Sequence, residues 1–411
     1  MKKTGTIILA SLASLFLIAV ATFAGWRVAD NYRTQETIGN ETPNTETAEQ
    51  ATVYFYRTDG IYRVTSENSE PEKIVETTFN QEKGYYFSPK FEIMGTDHNW
   101  LVYRDMTKID ELEQVQFALV VYDLENKKEL LTVAEDLGSV ISFTVSPSGK
   151  SLAYVVNKHD PDKKISDGPE PFFQELYFWD GAGEAEKILT EESGFFSIVL
   201  GNWLDDENFT AGRGYEGVSF CKINVTTTKK FPEDCTGYGE STMGTTDNVE
   251  AIIDGVAYGF HYEWPEIVGN RRTNNGIFEQ TENGERRFIT SDVPSDLTVD
   301  KDNIYYLRNS RDGSKYTWNG SESDLYLVSK NGETLKRLTN DGTSIAAKSQ
   351  LSLSNDGRFL TYQVTDLSQL SPDKNTVEEQ SDNSKIWLYD LKLNKYYVVA
   401  EKGLAPRVVI K

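Results

Sequence analysis

From residue 51 onward, apolar and polar residues alternate in short runs that are broken by clusters of Asn, Gly, Asp and Lys. An apolar spacing of two puts the hydrophobic side chains on one face of a strand, and it excludes helices as the main element. One hairpin pattern recurs along the chain. It reads GIYRVTSENSEPEKIV from residue 60, LVVYDLENKKELLTV from 119, LYFWDGAGEAEKILT from 176 and FCKINVTTTKKF from 220. It returns as GIFEQTENGERRFIT from 276, LYLVSKNGETLKRLT from 325 and IWLYDLKLNKYYVV from 386. These seven copies lie roughly 44 to 61 residues apart, near the period of a propeller blade. Their turns carry the residues a hairpin needs.

A second hairpin lies between the copies, as ISFTVSPSGKSLAYVV at 141–156 and QLSLSNDGRFLTYQV at 350–364. Degenerate versions stand at 91–105, 198–212 and 296–309. Two hairpins per repeat make four strands, which is one blade. The first repeat, 53–75, supplies only three strands, while APRVVIK at 405–411 is a strand left over. The economical solution gives that last strand to blade one and closes the ring. The pattern therefore predicts an all-β, seven-bladed β-propeller; six blades are the alternative if the irregular stretch 236–276 is not a full blade.

Ser146-Pro147-Ser148-Gly149-Lys150-Ser151-Leu152-Ala153-Tyr154 resembles the S-P-D-G-K-x-[ILF]-A-[FY] motif of TolB-like, WD-repeat-like propellers. Related motifs mark the propellers of the dipeptidyl peptidase IV and prolyl oligopeptidase families. Ser354-Asn355-Asp356-Gly357-Arg358-Phe359-Leu360-Thr361-Tyr362 is a second, looser match. Leu176 to Asp180 and Ile386 to Asp390 resemble the strand that follows the motif. The resemblance implies an architecture, with Asp-Gly or Ser-Gly closing a tight turn, and it encodes no chemistry. Peptidases of this kind carry an α/β-hydrolase domain with a G-x-S-x-G elbow, which the 411 residues do not contain. What the resemblance implies is accordingly a sensory or interaction propeller.

The N-terminus supplies an address. Lys2 and Lys3 precede an uncharged run from Thr4 to Trp26, and Arg27 ends it. About 23 helical residues span roughly 34 Å, enough for a bilayer core. Residues 1–33 read as a signal anchor, a single transmembrane helix, with a cleaved signal peptide as the alternative. Residues 34–50 (TQETIGNETPNTETAEQ) cannot bury a core and read as a disordered acidic tether, leaving 51–411 as the propeller. This order places the C-terminal domain outside the cytoplasm, with a secreted or periplasmic form if the signal is cleaved. In an oxidising compartment Cys221 and Cys235 are expected to pair as a structural disulfide.

Charge narrows the partners. The net charge is −22 from 64 acids and 42 bases, and about −25 of it lies beyond residue 33, which argues against nucleic acid. His98, His159 and His261 fall in different repeats without metal-ligand spacing, so no metal or cofactor is expected. Asp160, Asp162, Asp167 and Gly168 depart from a calcium-loop spacing, as do Asp300 and Asp302. Gly212, Gly214 and Gly217 spell G-x-G-x-x-G, but a strand pattern follows where phosphate binding needs a helix.

Long connections are expected on one face, at about 105–117, 157–172, 263–276, 309–324 and 365–385. They carry Phe172, Phe173, Trp264, Arg271, Arg272, Tyr316 and Trp318, residue types that dominate binding hot spots. The expected function is a membrane-tethered, non-enzymatic scaffold for a protein or peptide partner of the cell envelope. The alternative is an extracytoplasmic, glycosidase-like hydrolase with paired carboxylates at the central channel.

Overall fold

The computed structural model describes residues 51–65, 70–77, 90–95, 97, 99–109, 115–133, 138–159, 172–191, 197–214, 218–232, 238–242, 245–263, 274–309, 322–370 and 376–410. The apolar segment and the tether lie outside them. Among the described residues no helix is long and apolar enough to cross a membrane.

The strands fall into seven blades. β1 (Ala51–Arg57), β2 (Gly60–Val64) and β3 (Glu72–Val75) belong to blade one. Blade two holds β4 (Phe91–Met94), β5 (Trp100–Ile109), β6 (Val115–Asp123) and β7 (Lys128–Val133). Blade three holds β8 (Ser139–Val145), β9 (Leu152–His159), β10 (Phe172–Trp179) and β11 (Glu186–Glu191). In blade four come β12 (Ser197–Trp203), β13 (Asn208–Gly214), β14 (Val218–Asn224) and β15 (Glu240–Thr242). Blade five has β16 (Thr245–Ile253), β17 (Val256–Glu263), β18 (Gly276–Thr281) and β19 (Arg286–Thr290). Blade six has β20 (Asp296–Val299), β21 (Asn303–Asn309), β22 (Ser323–Ser329) and β23 (Leu335–Arg337). Blade seven has β24 (Ala346–Leu353), β25 (Phe359–Asp366), β26 (Ser384–Asp390) and β27 (Lys395–Ala400).

The last strand, β28 (Leu404–Ile410), completes blade one as its innermost strand, in the order β28-β1-β2-β3. The leftover strand thus closes the ring as the sequence predicts, and β16 and β17, from the irregular stretch, join β18 and β19 in a full fifth blade. Ala51 pairs with Ile410, which puts residue 51 on the side of the ring that carries the short turns between first and second strands.

The repeated motif is a turn device. Gly149, at φ 70°, donates its N–H to Ser146 O, and the Ser146 hydroxyl accepts from Ser151 N. Gly357, at φ 74°, and Ser354 repeat this against Phe359 N. Only glycine reaches that φ cheaply. Asp390, at the end of its strand, accepts from Lys392 N and Leu393 N, and Asp123 accepts from Glu125 N and Asn126 N. A side chain that mimics a turn in this way fixes hairpin register.

The core consists of apolar layers between blades rather than one central mass. Tyr54, Tyr56, Phe91 and Leu101 join blades one and two, and Phe143, Tyr154, Val102 and Val121 join two and three. Leu176, Ile188, Phe209 and Ile223 join three and four; Phe260, Ile277, Ile304 and Tyr306 join five and six. Tyr305, Leu307, Leu360 and Tyr389 join six and seven, and Val53, Phe55, Ile386 and Leu388 join seven and one. Blades four and five differ: β15 pairs with β16, so the two blades run on as one eight-stranded sheet.

Three expectations need correction. Residues 228–231 are not the outer strand of blade four; that place is taken by β15, which meets β14 only at Val218 and Ser219. Pro232 follows this segment and cannot donate to a ladder. The connection expected at 105–117 is mostly sheet, with β5 and β6 paired out to Ile109 and Val115. The one at 365–385 contains a 3-10 turn, Leu367–Gln369, and a short helix, α1 (Val377–Asp382), capped by the Thr376 hydroxyl on Glu379 N.

Candidate functional site: the central channel

The innermost strands are bulged. The pairing of first with second strand slips by a residue or more in blades one, three, four, five and seven. A bulge leaves backbone groups unpaired in its own sheet, and the preceding blade satisfies them with side chains. Lys90 Nζ donates to Phe143 O at 2.7 Å, and Arg104 Nη1 donates to Ile141 O. At other bulges Asn202 donates to Val249 O, Asp296 accepts from Leu351 N and Gln363 accepts from Ala405 N, while in blade four Gln174 accepts from Ile198 N, outside the bulge. Gln350 and Ala405 adopt positive φ, 58° and 49°, at two of these bulges. Each of these bonds ties one blade to the next around the channel.

Inside this ring four charged residues gather. Arg407 of β28 forks onto Glu92 of β4, with both N···O distances 2.9 Å. Arg407 also interacts electrostatically with Asp296 of β20 and Glu250 of β16. Blade one is not adjacent to blades five and six, so these groups meet across the channel. Burial, together with the nearby charge of Asp296, pushes the Glu250 carboxyl up to about 8. Burial likewise raises Asp296 to about 6, against the opposing pull of its backbone hydrogen bonds and Arg407. Burial depresses Lys90 and holds Arg104 at about 10. For Arg407 burial works the same way, but the Glu92 carboxylate outweighs it and the net shift is upward. Asn248 donates to Glu250 Oε1, which fixes the side chain. Near neutral pH the channel thus holds a carboxyl that keeps its proton, a second that is mostly ionised, and a charge pair. Such a set can donate to a carbonyl, accept from an N–H and bind a polar chain.

The residues expected on the long connections are placed as follows. Phe172 and Phe173 are not loop residues; they begin β10, paired with His159 and Lys158, and Phe172 meets the His159 ring edge-on at 5.5 Å. Trp264, Arg271, Arg272, Tyr316 and Trp318 lie outside the described residues, as do His98, Asp160, Asp162, Asp167 and Gly168. Cys221 is buried in β14, and no free thiol stands among the described residues; Cys235 lies outside them. Asp300 caps a turn, accepting from Asp302 N and Asn303 N. Gly212 and Gly214 lie in β13, and a strand, β14, follows as expected. Sequence reasoning missed Glu92, Glu250, Asp296 and Arg407 individually. Only their first-strand positions mark them, and those become visible once the blades are registered.

The fold and this channel define an all-β propeller with a polar, charged lining. No protein-family model matches the chain, and no curated protein does. Solved structures do. A prolyl endopeptidase, from a structural and mechanistic study of two such enzymes, aligns over 91% of this chain and 54% of its own, with TM-score 0.55 and 12% identity. Prolyl oligopeptidase B from Galerina marginata, bound to a 25mer macrocyclization substrate, aligns over 86% and 51%, with TM-score 0.52 and 10% identity. The chain spans about half the length of each, and the likeness lies in the propeller. At this identity it shows the fold alone.

Proposed function

We propose that this propeller is a binding scaffold that takes a peptide or protein segment at the mouth of its channel, on the side of the long connections. The observation that carries the reading is the ring formed by Glu92, Arg407, Asp296 and Glu250. It offers fixed donors and acceptors in a confined space, as the N–H and C=O groups of an extended chain require. One solved neighbour was captured with a 25mer substrate, which makes a peptide the first ligand class to test. The address belongs to the same proposal. The uncharged run from Thr4 to Trp26 anchors the chain, 34–50 tethers it, and the propeller works outside the cytoplasm with Cys221 and Cys235 paired. The TolB-like motif turns support the reading as architecture. Screening a peptide library by calorimetry tests it: the double substitution Glu250→Gln, Asp296→Asn is expected to weaken the best binder at least about tenfold, the worth of one hydrogen bond to a charged group. Unchanged affinity would sink the channel assignment.

A second reading, a hydrolase acting on glycans, is favoured by one observation. Glu250 holds its proton beside Asp296, which ionises nearer neutrality, the pairing of acid and base that glycoside cleavage uses. A glycan panel decides this: turnover lost in both Glu250→Gln and Asp296→Asn, with binding retained, would replace the scaffold reading.

A further inference from the structure

The seam between blades four and five is unlike the others. Each of the other six seams has a buried apolar layer, even where it also holds ions, as at Lys348; between blades four and five, among the described residues, an ion cluster stands with no such layer. Tyr258, Phe260 and Ile277 face blade six, so the alternate residues of blade five, His261 and Asp247 among them, face blade four. Asp247, almost fully buried, accepts from Arg286 Nη1 at 3.1 Å and Nη2 at 2.5 Å. Gln280 steadies the same guanidinium at 2.6 and 3.0 Å, and the ring of Phe278 lies 4.3 Å beneath it. Against this pair sits His261. Its Nδ1 is 2.6 Å from Asp247 Oδ1, its Nε2 is 3.5 Å from Glu263 Oε1, and Phe288 meets its ring edge-on.

Glu263 in turn ties the foot of the blade-five connection. Its N–H donates to Asn275 Oδ1 at 2.7 Å, and its Oε2 accepts from Asn274 N at 3.2 Å. The charge balance of the group depends on the ring. With His261 charged, two carboxylates face two cations. With His261 neutral, Nδ1–H keeps its bond to Asp247, and the bare Nε2 lone pair points at a carboxylate oxygen.

We propose that His261 is a proton-operated clasp: charged, it bridges the Asp247 seam to Glu263 and so pins Asn274 and Asn275; neutral, it holds Asp247 and releases Glu263. The hydrogen bond to Asp247 raises the affinity of the ring for its proton; burial and the Arg286 guanidinium, 3.3 Å from Nδ1, oppose it. The folded value thus lies above the ordinary one of about 6.5. The clasp is fully closed below about 6.5 and opens as pH rises through the folded value. It stands apart from the channel, since it acts only on the foot of the connection.

Hydrogen exchange by mass spectrometry on the full-length chain, from pH 5.5 to 9 and corrected for intrinsic rates, reads the clasp at Asn274 and Asn275. Protection there is expected to fall about tenfold with rising pH, the worth of one lost hydrogen bond to a charged group, while β5 stays flat. In Glu263→Gln the fall is expected to vanish. Flat protection in the wild type, an equal fall in β5, or an undiminished fall in Glu263→Gln would each overturn the proposal. Melting of both proteins at pH 6 separates a lost clasp from a lost fold.

Discussion

Half-buried and buried charged side chains are where this propeller is expected to respond to pH and to substitution. The Glu250 carboxyl lies up to about 8 in the folded chain, and near 4.5 when unfolded. The neutral form is the one the fold accommodates. Below about 4.5 the group is protonated in both states and costs nothing; as pH rises toward about 8 it ionises readily only in the unfolded chain, so stability falls. Glu250→Gln removes that loss. Its melting temperature is expected to match the wild type near pH 5, rise above it with pH, and keep a constant lead beyond about pH 8. Parallel melting at every pH would show that the group is solvated. Lys348 makes the opposite case. Its Nζ is buried between Ser323 O at 2.7 Å, Asp341 at 2.6 Å and Asp324 at 3.3 Å, while Arg337 and Thr339 hold Asp324 from the other side. Because the network is complete, Lys348→Ala strands a fully buried Asp324 carboxylate with one cation fewer. The expected cost is about 3–5 kcal/mol in urea unfolding; a cost below about 1 kcal/mol would mean that water replaces the ammonium.

At the level of elements, two matching glycines should behave differently. Gly149 and Gly357 close equivalent motif turns at φ 70° and 74°. A Cβ on Gly149 would meet Gly95 N at 2.8 Å and Gly95 O at 3.0 Å, backbone atoms of the neighbouring blade, whose N–H already donates to Gly149 O. On Gly357 the nearest atom is an Asp300 oxygen at 3.8 Å. Gly357→Ala therefore carries only the cost of a left-handed backbone, about 1–2 kcal/mol, and Gly149→Ala is expected to exceed it clearly in denaturant midpoint. Equal costs would show that the blade-two turn yields. These turns are also why the architecture was legible: Ser-x-x-Gly and the strand-end Asp act within six residues, so local sequence carries them. Blade four was less legible. The segment 228–231 follows its turn where a paired strand is expected, yet the pairing went to the polar, three-residue β15, which β16 also holds from its other side, so tertiary pairing overrode local pattern. The channel was not legible at residue level at all. Glu92, Glu250, Asp296 and Arg407 come from four blades, and nothing near them in the chain distinguishes them from the other acids and bases.

The whole molecule depends on one strand that arrives last. β28 pairs with β1 across the full gap in blade one and delivers Leu404, Val408 and Val409 to the layers on both sides of that blade. It also brings Arg407 to Glu92, the ion pair that links blade one to blade two at the channel. Fully buried, three such aliphatic side chains contribute roughly 1.5–3 kcal/mol each, which approaches the entire net stability of a domain, about 5–15 kcal/mol. Truncation after Gly403 also strips the hydrogen-bond edge from β1 and leaves Glu92 without its cation. It is therefore expected to abolish the cooperative unfolding transition rather than shift it, because a ring with one open blade cannot keep either neighbouring layer dry. A synthetic peptide spanning Leu404 to Ile410, added to the truncated chain, is expected to restore near-ultraviolet dichroism in a saturable way, and the same peptide with Arg407→Ala to restore less. A truncated chain that melts cooperatively at the wild-type temperature would show that six blades hold the ring unaided and that β28 only covers it.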